Sequence, residues 1–529
     1  MIERVQAAII ENLNLYASKY EEEFAPFLPK FTQYIWKLLV DVNTMPKYDL
    51  LVTQAIKFLI AVSSKQMYSY LFTDQVLEDI IKNIVVKNLM VTDRDIELFE
   101  DNAYDYIRKD MEGSDLETRR RCAMELVRAL LKLFNKKTSE LCCSYVHELI
   151  KPYTENPSAN WKYKDAAVHL ILSVAVVTTS AAQGAQELNP NVNMMEMFNA
   201  HILPELADTS SINNRPIVKA DVIKLICLFR NHLDVQQLTT VILPLLVQYL
   251  NAPCTVIQTY SAICIEKLLI LKTKPDANTN TKATLKLTKQ HVTPYLQELF
   301  GNLFNVIEKN EDSSENEYVL KCIMRVLIVI GADMLSALEL ISNKLTTLLA
   351  RVCKNPINPQ FNHYLFECIA VMIRTGCDDT ADGSQLTKQM VGDNCAKFEQ
   401  LLFPPFTLVL TQDVTEFVPY VFQILAQLLF YRPVQIYGLG LSDAYKSLFS
   451  PLLSPALWER KGNIPALMEL MQSYMVRGMN DLVSGNHLMG ILGIFQKLLS
   501  AKVISVCVCI YAKYVCKCIY ICRYIYICI

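Results

Sequence analysis

Apolar positions recur along this chain with a helical period, and the apolar runs come in pairs that repeat every forty to fifty residues or so, about the spacing of a helical repeat array. The first member of each pair carries a proline near the start of its apolar run: Pro204 in HILPEL, Pro244 in VILPLLVQYL, Pro294 in HVTPYLQELF, Pro405 in LLFPPFTLVL and Pro451 in LFSPLLSPAL. Each proline is predicted to sit in a first helical turn, where N–H groups have no intrahelical acceptor and a residue without one loses nothing. The second members are predicted as helices over 218–231, 255–271, 317–330, 361–374 and 416–429. One such pair cannot bury its apolar face alone, and stacking on neighbours buries it. The pattern predicts an all-α fold, a HEAT-repeat superhelical solenoid, continuous over 1–502 in roughly ten to twelve helix pairs.

The chain enters this periodicity at once through Val5, Ile9, Leu13 and Tyr16, with no N-cap or polar capping repeat ahead of them. Solenoids shield their terminal cores, so residues 1–45 are expected to be an interior repeat of a longer array. After GILGIFQKLLSAK (490–502) the composition turns to VISVCVCIYAKYVCKCIYICRYIYICI, which holds six of the seventeen cysteines and no acidic residue. This low-complexity Cys/Ile/Tyr-rich tail, 503–529, reads as translated read-through sequence, and Val503 suits a retained splice donor because valine codons begin with GT. Its CVC and CKC strings lack the histidines and paired CxxC spacing of a zinc site. Lys513, Lys517 and Arg523 interrupt it as a membrane span, and its β-branched and aromatic content makes it prone to aggregate.

Composition narrows the function. The 51 basic and 53 acidic residues leave a formal charge of −2, so no global field would hold a nucleic acid. Apart from the adjacent Cys142 and Cys143, the other cysteines sit singly, as on the apolar helix faces at Cys227, Cys264, Cys322 and Cys368, which suits free thiols used as small hydrophobes in a cytosolic protein. The N-terminus is charged and has no apolar run of signal-peptide type. The uncharged stretch 166–186 contains His169 and many Ser, Thr and Gln residues, and reads as a buried helix running into a polar loop rather than a membrane span. No Walker loop, HExxH pair or GxSxG elbow occurs, and GLGLSD (438–443) is a lone GxG. The seven histidines are scattered. No catalytic, cofactor or metal site is predicted, and the chain is not expected to be an enzyme.

Two charged motifs stay open between a solvated and a partner-facing reading. The acidic run EKNEDSSENE (308–317) precedes an apolar helix, with Ser314 and Glu317 placed as a capping box. Arg119, Arg120 and Arg121 follow Asp115 and Glu117 at a helix start, where local ion pairing is the simpler expectation.

The block DNAYDYIRKDMEGSDLETRRRCAMELVRALLKLF (101–134) leads an acidic segment through a Tyr106-Ile107-Arg108 turn into an Arg-rich helix. It resembles the mid-chain signature of the importin-beta superfamily of transport receptors. The strings NPSANWKYKDAAVHLI, VKADVIKLICLFRN, SSENEYVLKCIMRVL, NPINPQFNHYLFECIAVMIR, DVTEFVPYVFQILAQLL and LWERKGNIPALMELMQSYMVRG resemble, in order up to Lys502, the branch of that superfamily that exports importin-alpha. Tyr104 departs from a usually acidic position, and linkers 272–290, 375–397 and 431–441 are diverged. Members of the branch run to nearly twice this length, so the resemblance implies a fragment without the N-terminal arch, where the family makes its main Ran-GTP contact, and without the C-terminal repeats, hence an impaired one.

What the resemblance implies is a carrier shuttling between nucleus and cytoplasm. It would bind importin-alpha and Ran-GTP cooperatively, cross the pore on phenylalanine-glycine nucleoporins, and release cargo when Ran hydrolyses GTP, hydrolysing nothing itself and needing neither cofactor nor membrane. The polar segment 178–193 interrupts a repeat where the family carries an insertion between helices that reaches Ran and cargo. Partner contacts are therefore expected from Gln183, Gln186, Glu187 and Asn189, with Arg119, Arg120 and Arg121 as a second candidate surface. An import receptor of the same superfamily and a static HEAT scaffold indifferent to Ran are the alternatives, separated by the sign of the coupling to Ran.

Overall fold

The computed structural model describes residues 1–111, 118–273, 283–309, 314–380, 386–438 and 440–500. The tail 503–529, residues 310–313 of the acidic run, and Asp115 and Glu117 lie outside them. The chain divides into two compact units, Met1–Ser314 and Glu315–Ile529.

Unit 1 contains α1 (Ile2–Lys19), α2 (Leu28–Asp41), α3 (Asp49–Ser63), a helical run over 74–89, two short helices α4 (Asp93–Asp101) and α5 (Ala103–Met111), and then α6 (Arg119–Glu155) and α7 (Trp161–Ala175). A hairpin of β1 (Val176–Ser180) and β2 (Gly184–Leu188) follows, then a run over 194–207, α8 (Pro216–Phe229), a run over 235–249, α9 (Thr255–Leu269) and α10 (Leu296–Lys309). Phe134 breaks α6 with φ −122° and ψ 36°, so 119–133 closes one pair and 135–155 opens the next. The pairs are α2 with α3, 74–89 with 119–133, 135–155 with α7, 194–207 with α8, and 235–249 with α9. The second helices α3, α6, α7, α8 and α9 pack against one another in chain order.

Cations complete the helix ends. The last carbonyls of a helix have no intrahelical donor and carry the negative end of its dipole. Lys65 donates to the Ala17 carbonyl of α1 at 2.7 Å, Lys87 to Val40 at 2.9 Å at the end of α2, and Lys286 to Asn231 at 3.2 Å beyond α8. Lys219, fully buried, donates to the carbonyls of Glu205, Leu206 and Asp208 at the end of 194–207. These lysines let short helices end inside apolar surroundings without orphaned carbonyls.

Unit 2 contains α11 (Glu317–Ile330), α12 (Leu338–Val352), α13 (Pro359–Cys377), α14 (Lys388–Thr411), α15 (Val418–Tyr431), α16 (Asp443–Leu452), α17 (Ile464–Arg477) and α18 (Leu488–Ser500). Here α11, α13, α15 and α17 form the row of second helices. The start of α11 corrects the capping-box expectation. Its N-cap is Asn316, whose side chain accepts from the N–H groups of Tyr318 at 3.1 Å and Val319 at 3.2 Å, two residues beyond Ser314. Asn358 caps α13 in the same way and also donates to the Glu315 carbonyl and the Glu317 carboxylate, both at 3.0 Å.

The second helices fall within three residues of their predicted limits, and Pro204, Pro244 and Pro294 sit in the first turns of helical segments as expected, whereas Pro405 and Pro451 lie inside their helices. The first helical runs begin well ahead of the prolines, at Met194 capped by Asn193, Val235 capped by Asp234, and Lys388 capped by Thr387. Pro204 and Pro244 each follow a wide turn, Phe198–Ile202 and Leu238–Ile242, in which the hydrogen-bond register slips to i+5. Pro294 occupies a tight turn, Pro405 lies within α14, and Pro451 is next to last in α16. A proline without an N–H is accommodated where the ladder is already shifted, at the cost of a bend.

The hairpin departs from the purely helical expectation. The polar end of 166–186 forms antiparallel strands rather than a loop, because Val176, Val177, Thr178 and Thr179 are β-branched. Among the described residues no helix is long and apolar enough to cross a membrane.

Candidate functional site

Helices α7, α8 and α9 are apolar nearly all round, and such a helix has to be covered on two faces. One face meets the first helices. The other is covered by α4 and α5, with the hairpin beside them. As a result every residue of α7 over 164–175 is buried. Charged residues on the covered faces must be paired, and the pairs show how the cover is attached. Asp110 at the end of α5 accepts from Lys224 of α8 at 2.5 Å and from the Tyr260 hydroxyl of α9 at 2.5 Å. Asp93 at the start of α4 pairs with Lys162 of α7 at 3.1 Å.

Beneath α5 lies the densest buried charge cluster. Arg120 donates to both carboxylate oxygens of Asp165, at 2.7 and 3.2 Å. His169 places Nδ1 3.0 Å from the Asp165 carbonyl, and its Nε2 lies 3.8 Å from Asp221 and 3.5 Å from Arg120. Burial, and then the Arg120 charge, hold the His169 pKa down at about 4, so the ring is neutral at physiological pH. Burial, then Asp165, push Asp221 well above the carboxylate range; it shares a hydrogen bond with Asp165 and carries the proton. Burial alone would raise Asp110 too, but Lys224 and the two hydrogen bonds outweigh it, and Asp110 sits below its usual value. The cluster therefore balances Arg120 and Lys224 against Asp165 and Asp110.

Asp165, His169 and Asp221 offer ligand atoms within 4.8 Å of one another. The Arg120 guanidinium already occupies the Asp165 carboxylate and faces the histidine, so the trio fits an ion-pair network better than a cation site. The signal in the sequence is a carboxylate within a mostly apolar helix, Asp165 in α7 and Asp221 in α8, because a buried charge needs a partner.

The hairpin is pinned as firmly. Gly184 has φ +77°, and a Cβ there would lie 2.2 Å from the Leu228 carbonyl of α8. Arg230 donates to the carbonyls of Ala181 at 3.0 Å and Ala182 at 2.9 Å, and His232 Nε2 donates to Ala185 at 2.9 Å. Asn189, 1% exposed, donates to Ser139 Oγ at 2.9 Å and to the Val174 carbonyl at 3.0 Å.

These positions sort the expected contact residues. Gln186 and Glu187 are exposed on β2, and Gln183 is half-buried in the turn, its N–H bonded to Ser180 Oγ at 3.2 Å. Asn189 is corrected to an anchor of the hairpin base, with no surface left for a partner. Arg119 is 7% exposed and bound to Asp49 at 2.6 Å and to the carbonyls of Asn43 and Met45, while Arg120 belongs to the cluster. Both are structural. Arg121 is exposed and pairs with Glu125 at 3.3 Å. The hairpin also joins two successive helix pairs. Among the described residues, 90–111 lie between the two helices of one pair, 74–89 and 119–133, and carry α4 and α5.

Within each unit the helix pairs stack with the second helix of one pair packing on that of the next, which makes this a HEAT-repeat protein. Yeast importin-beta superposes with a TM-score of 0.57 over 94% of this chain and 53% of its own, at 14% identity, a likeness of fold alone. The chain belongs to the Cse1 family: the Cse1 profile matches residues 1–265 and the CAS/CSE protein C-terminus profile matches 266–506. Exportin-2 of Xenopus laevis is 40% identical over 505 residues, and exportin-2 of Homo sapiens 39%, each alignment covering 95% of this chain and 49% of the relative. The chain thus spans about half the length of the curated relatives it matches. A solved structure described as "The exportin Cse1 in its cargo-free, cytoplasmic state" superposes with a TM-score of 0.78 at 30% identity, over 94% of this chain and 50% of that one.

Proposed function

We propose that this chain acts as a nuclear export receptor that carries importin-alpha out of the nucleus together with Ran-GTP, passing the pore on phenylalanine-glycine nucleoporins and shuttling between nucleus and cytoplasm. The observation that carries this reading is the 40% identity to exportin-2 over 505 residues. The receptor's part is binding and coupling, and GTP is hydrolysed on Ran. Each partner orders a shared set of repeats, so the second to arrive meets a lower ordering cost, which is a coupling free energy of about 1–3 kcal/mol in typical cases. Gln186 and Glu187 on the hairpin and Arg121 on α6 are the side chains of the expected set with surface to offer a partner; Gln183 contributes from the turn.

The test is retention of purified importin-alpha on the immobilised chain, with and without Ran locked in its GTP form. Retention that rises with Ran-GTP supports the proposal. Retention that falls with Ran-GTP would make the chain an import receptor, and retention indifferent to Ran would make it a static scaffold.

A further inference from the structure

Where α13 hands over to α14, two thiols meet in the core of unit 2. Cys377 is the last residue of α13 and Cys395 lies in the second turn of α14, each 1% exposed, with their sulfurs 3.6 Å apart. The close approach has a local cause. Gly376 presents no side chain, and a Cβ there would lie 3.3 Å from the Phe398 ring, while the Gly376 carbonyl accepts from Asn394 Nδ2 at 2.8 Å. That hydrogen bond, one residue before each cysteine, fixes the register in which the two sulfurs face each other. A disulfide needs the sulfurs at about 2.0 Å, a closure within reach of side-chain rotation when they already point at one another.

We propose that Cys377 and Cys395 are a redox pair, converted by hydrogen peroxide into a disulfide that fastens α13 to α14. In the first step one thiolate attacks the peroxide: an S–O bond forms, the O–O bond breaks, and hydroxide leaves and is protonated. In the second step the other thiol attacks the sulfenic sulfur: the S–S bond forms, the S–O bond breaks, and a second water leaves. Two electrons pass from the sulfurs to the peroxide. Burial makes both thiols slow to react, so oxidation proceeds through opening of the last turn of α13, helix ends being the regions of lowest local stability. The bond joins the second helix of one pair to the first helix of the next, so it restrains neighbouring repeats against each other. Disulfides in a reducing compartment are typically transient and sensing, which suits a reversible fastener.

The test treats the purified full chain with hydrogen peroxide under native conditions, blocks remaining thiols, and maps unreduced peptides by mass spectrometry. The expected product is a cross-linked peptide pair containing Cys377 and Cys395, lighter by the two thiol hydrogens and separated by dithiothreitol. Cys377→Ser and Cys395→Ser, checked for unchanged helicity by circular dichroism, should each abolish the cross-link and leave a dimedone-reactive sulfenic acid on the remaining cysteine. The oxidised chain should melt at a higher temperature, and dithiothreitol should reverse the shift. Recovery of both cysteines as free thiols after the half-exposed Cys143 has been oxidised would overturn the pair. A cross-link with no change in melting would overturn the fastening.

Discussion

Over 164–175 no residue of α7 reaches solvent, whereas on α13 the positions His363, Tyr364, Glu367, Ala370 and Arg374 all stay open to some degree. The same contrast runs through both rows. In unit 1, α8 and α9 are closed by α4, α5 and the hairpin. In unit 2, Lys321, Arg325 and Ile328 on α11, Gln423 and Phe430 on α15, and Glu469 on α17 form a ridge accessible to solvent. The difference lies in the fate of charge. Under the cover every charge is fixed by a partner, as Asp110 is by Lys224 and Asp165 by Arg120. On the open ridge the charges stay partly in water, where an ion pair contributes little to stability. Unit 2 also joins its second helices by polar bonds, Gln427 to the Ala370 carbonyl at 3.1 Å and Ser473 to the Ala426 carbonyl at 3.0 Å, so the two rows differ in how far their charges are closed from water and not in whether such bonds exist.

The sharpest way to break the comparison is Asp165→Asn, which takes from Arg120 the carboxylate that accepts both of its hydrogen bonds under the cover. A loss of about 3–5 kcal/mol is expected, measured by urea unfolding. Acid probes the same cluster. A histidine whose folded pKa is depressed contributes stability that is present above its unfolded pKa near 6.5 and lost as pH falls through its folded value. For His169, held at about 4, the loss lies between pH 6.5 and 4 and amounts to at most about 3 kcal/mol. His169→Gln should flatten the pH profile of unfolding in that window, and an unchanged profile would reassign the acid sensitivity elsewhere. Gly184→Ala forces a side chain against the Leu228 carbonyl at a strained φ, at a cost of about 1–3 kcal/mol, and should expose the hairpin to limited proteolysis. The smallest effect belongs to the open row. Gln423→Ala should stay within about 0.5 kcal/mol of the parent in the same urea measurement, and a larger loss would mean that the ridge too is structural.

Much of this was legible beforehand. The paired apolar runs located α8, α9, α11, α13 and α15 within a few residues, because a period of 3.6 along a long apolar run leaves little choice of structure. The N-terminal turns of the first helices, such as 194–203, are less apolar than the run after the proline and so give a weaker signal, and the wide turns ahead of Pro204 and Pro244 have no sequence signature. At the candidate site the exposed positions Gln186 and Glu187 were readable as polar residues in an apolar context. Asn189 has the same polarity and the opposite role, since only the approach of Ser139 and Val174 makes it an anchor.

What the sequence by itself determined is the class of fold, the repeat and the second-helix row, because helical periodicity is local and is written residue by residue. The tertiary structure alone decided which charges pair. Asp110 meets Lys224 and Tyr260 across 114 and 150 residues of chain, and Arg119 meets Asp49 across 70. Contacts of that range depend on how the repeats stack and on where 90–111 lies down, and in a single sequence neither leaves a mark beyond the presence of a charge where an apolar helix had no use for one.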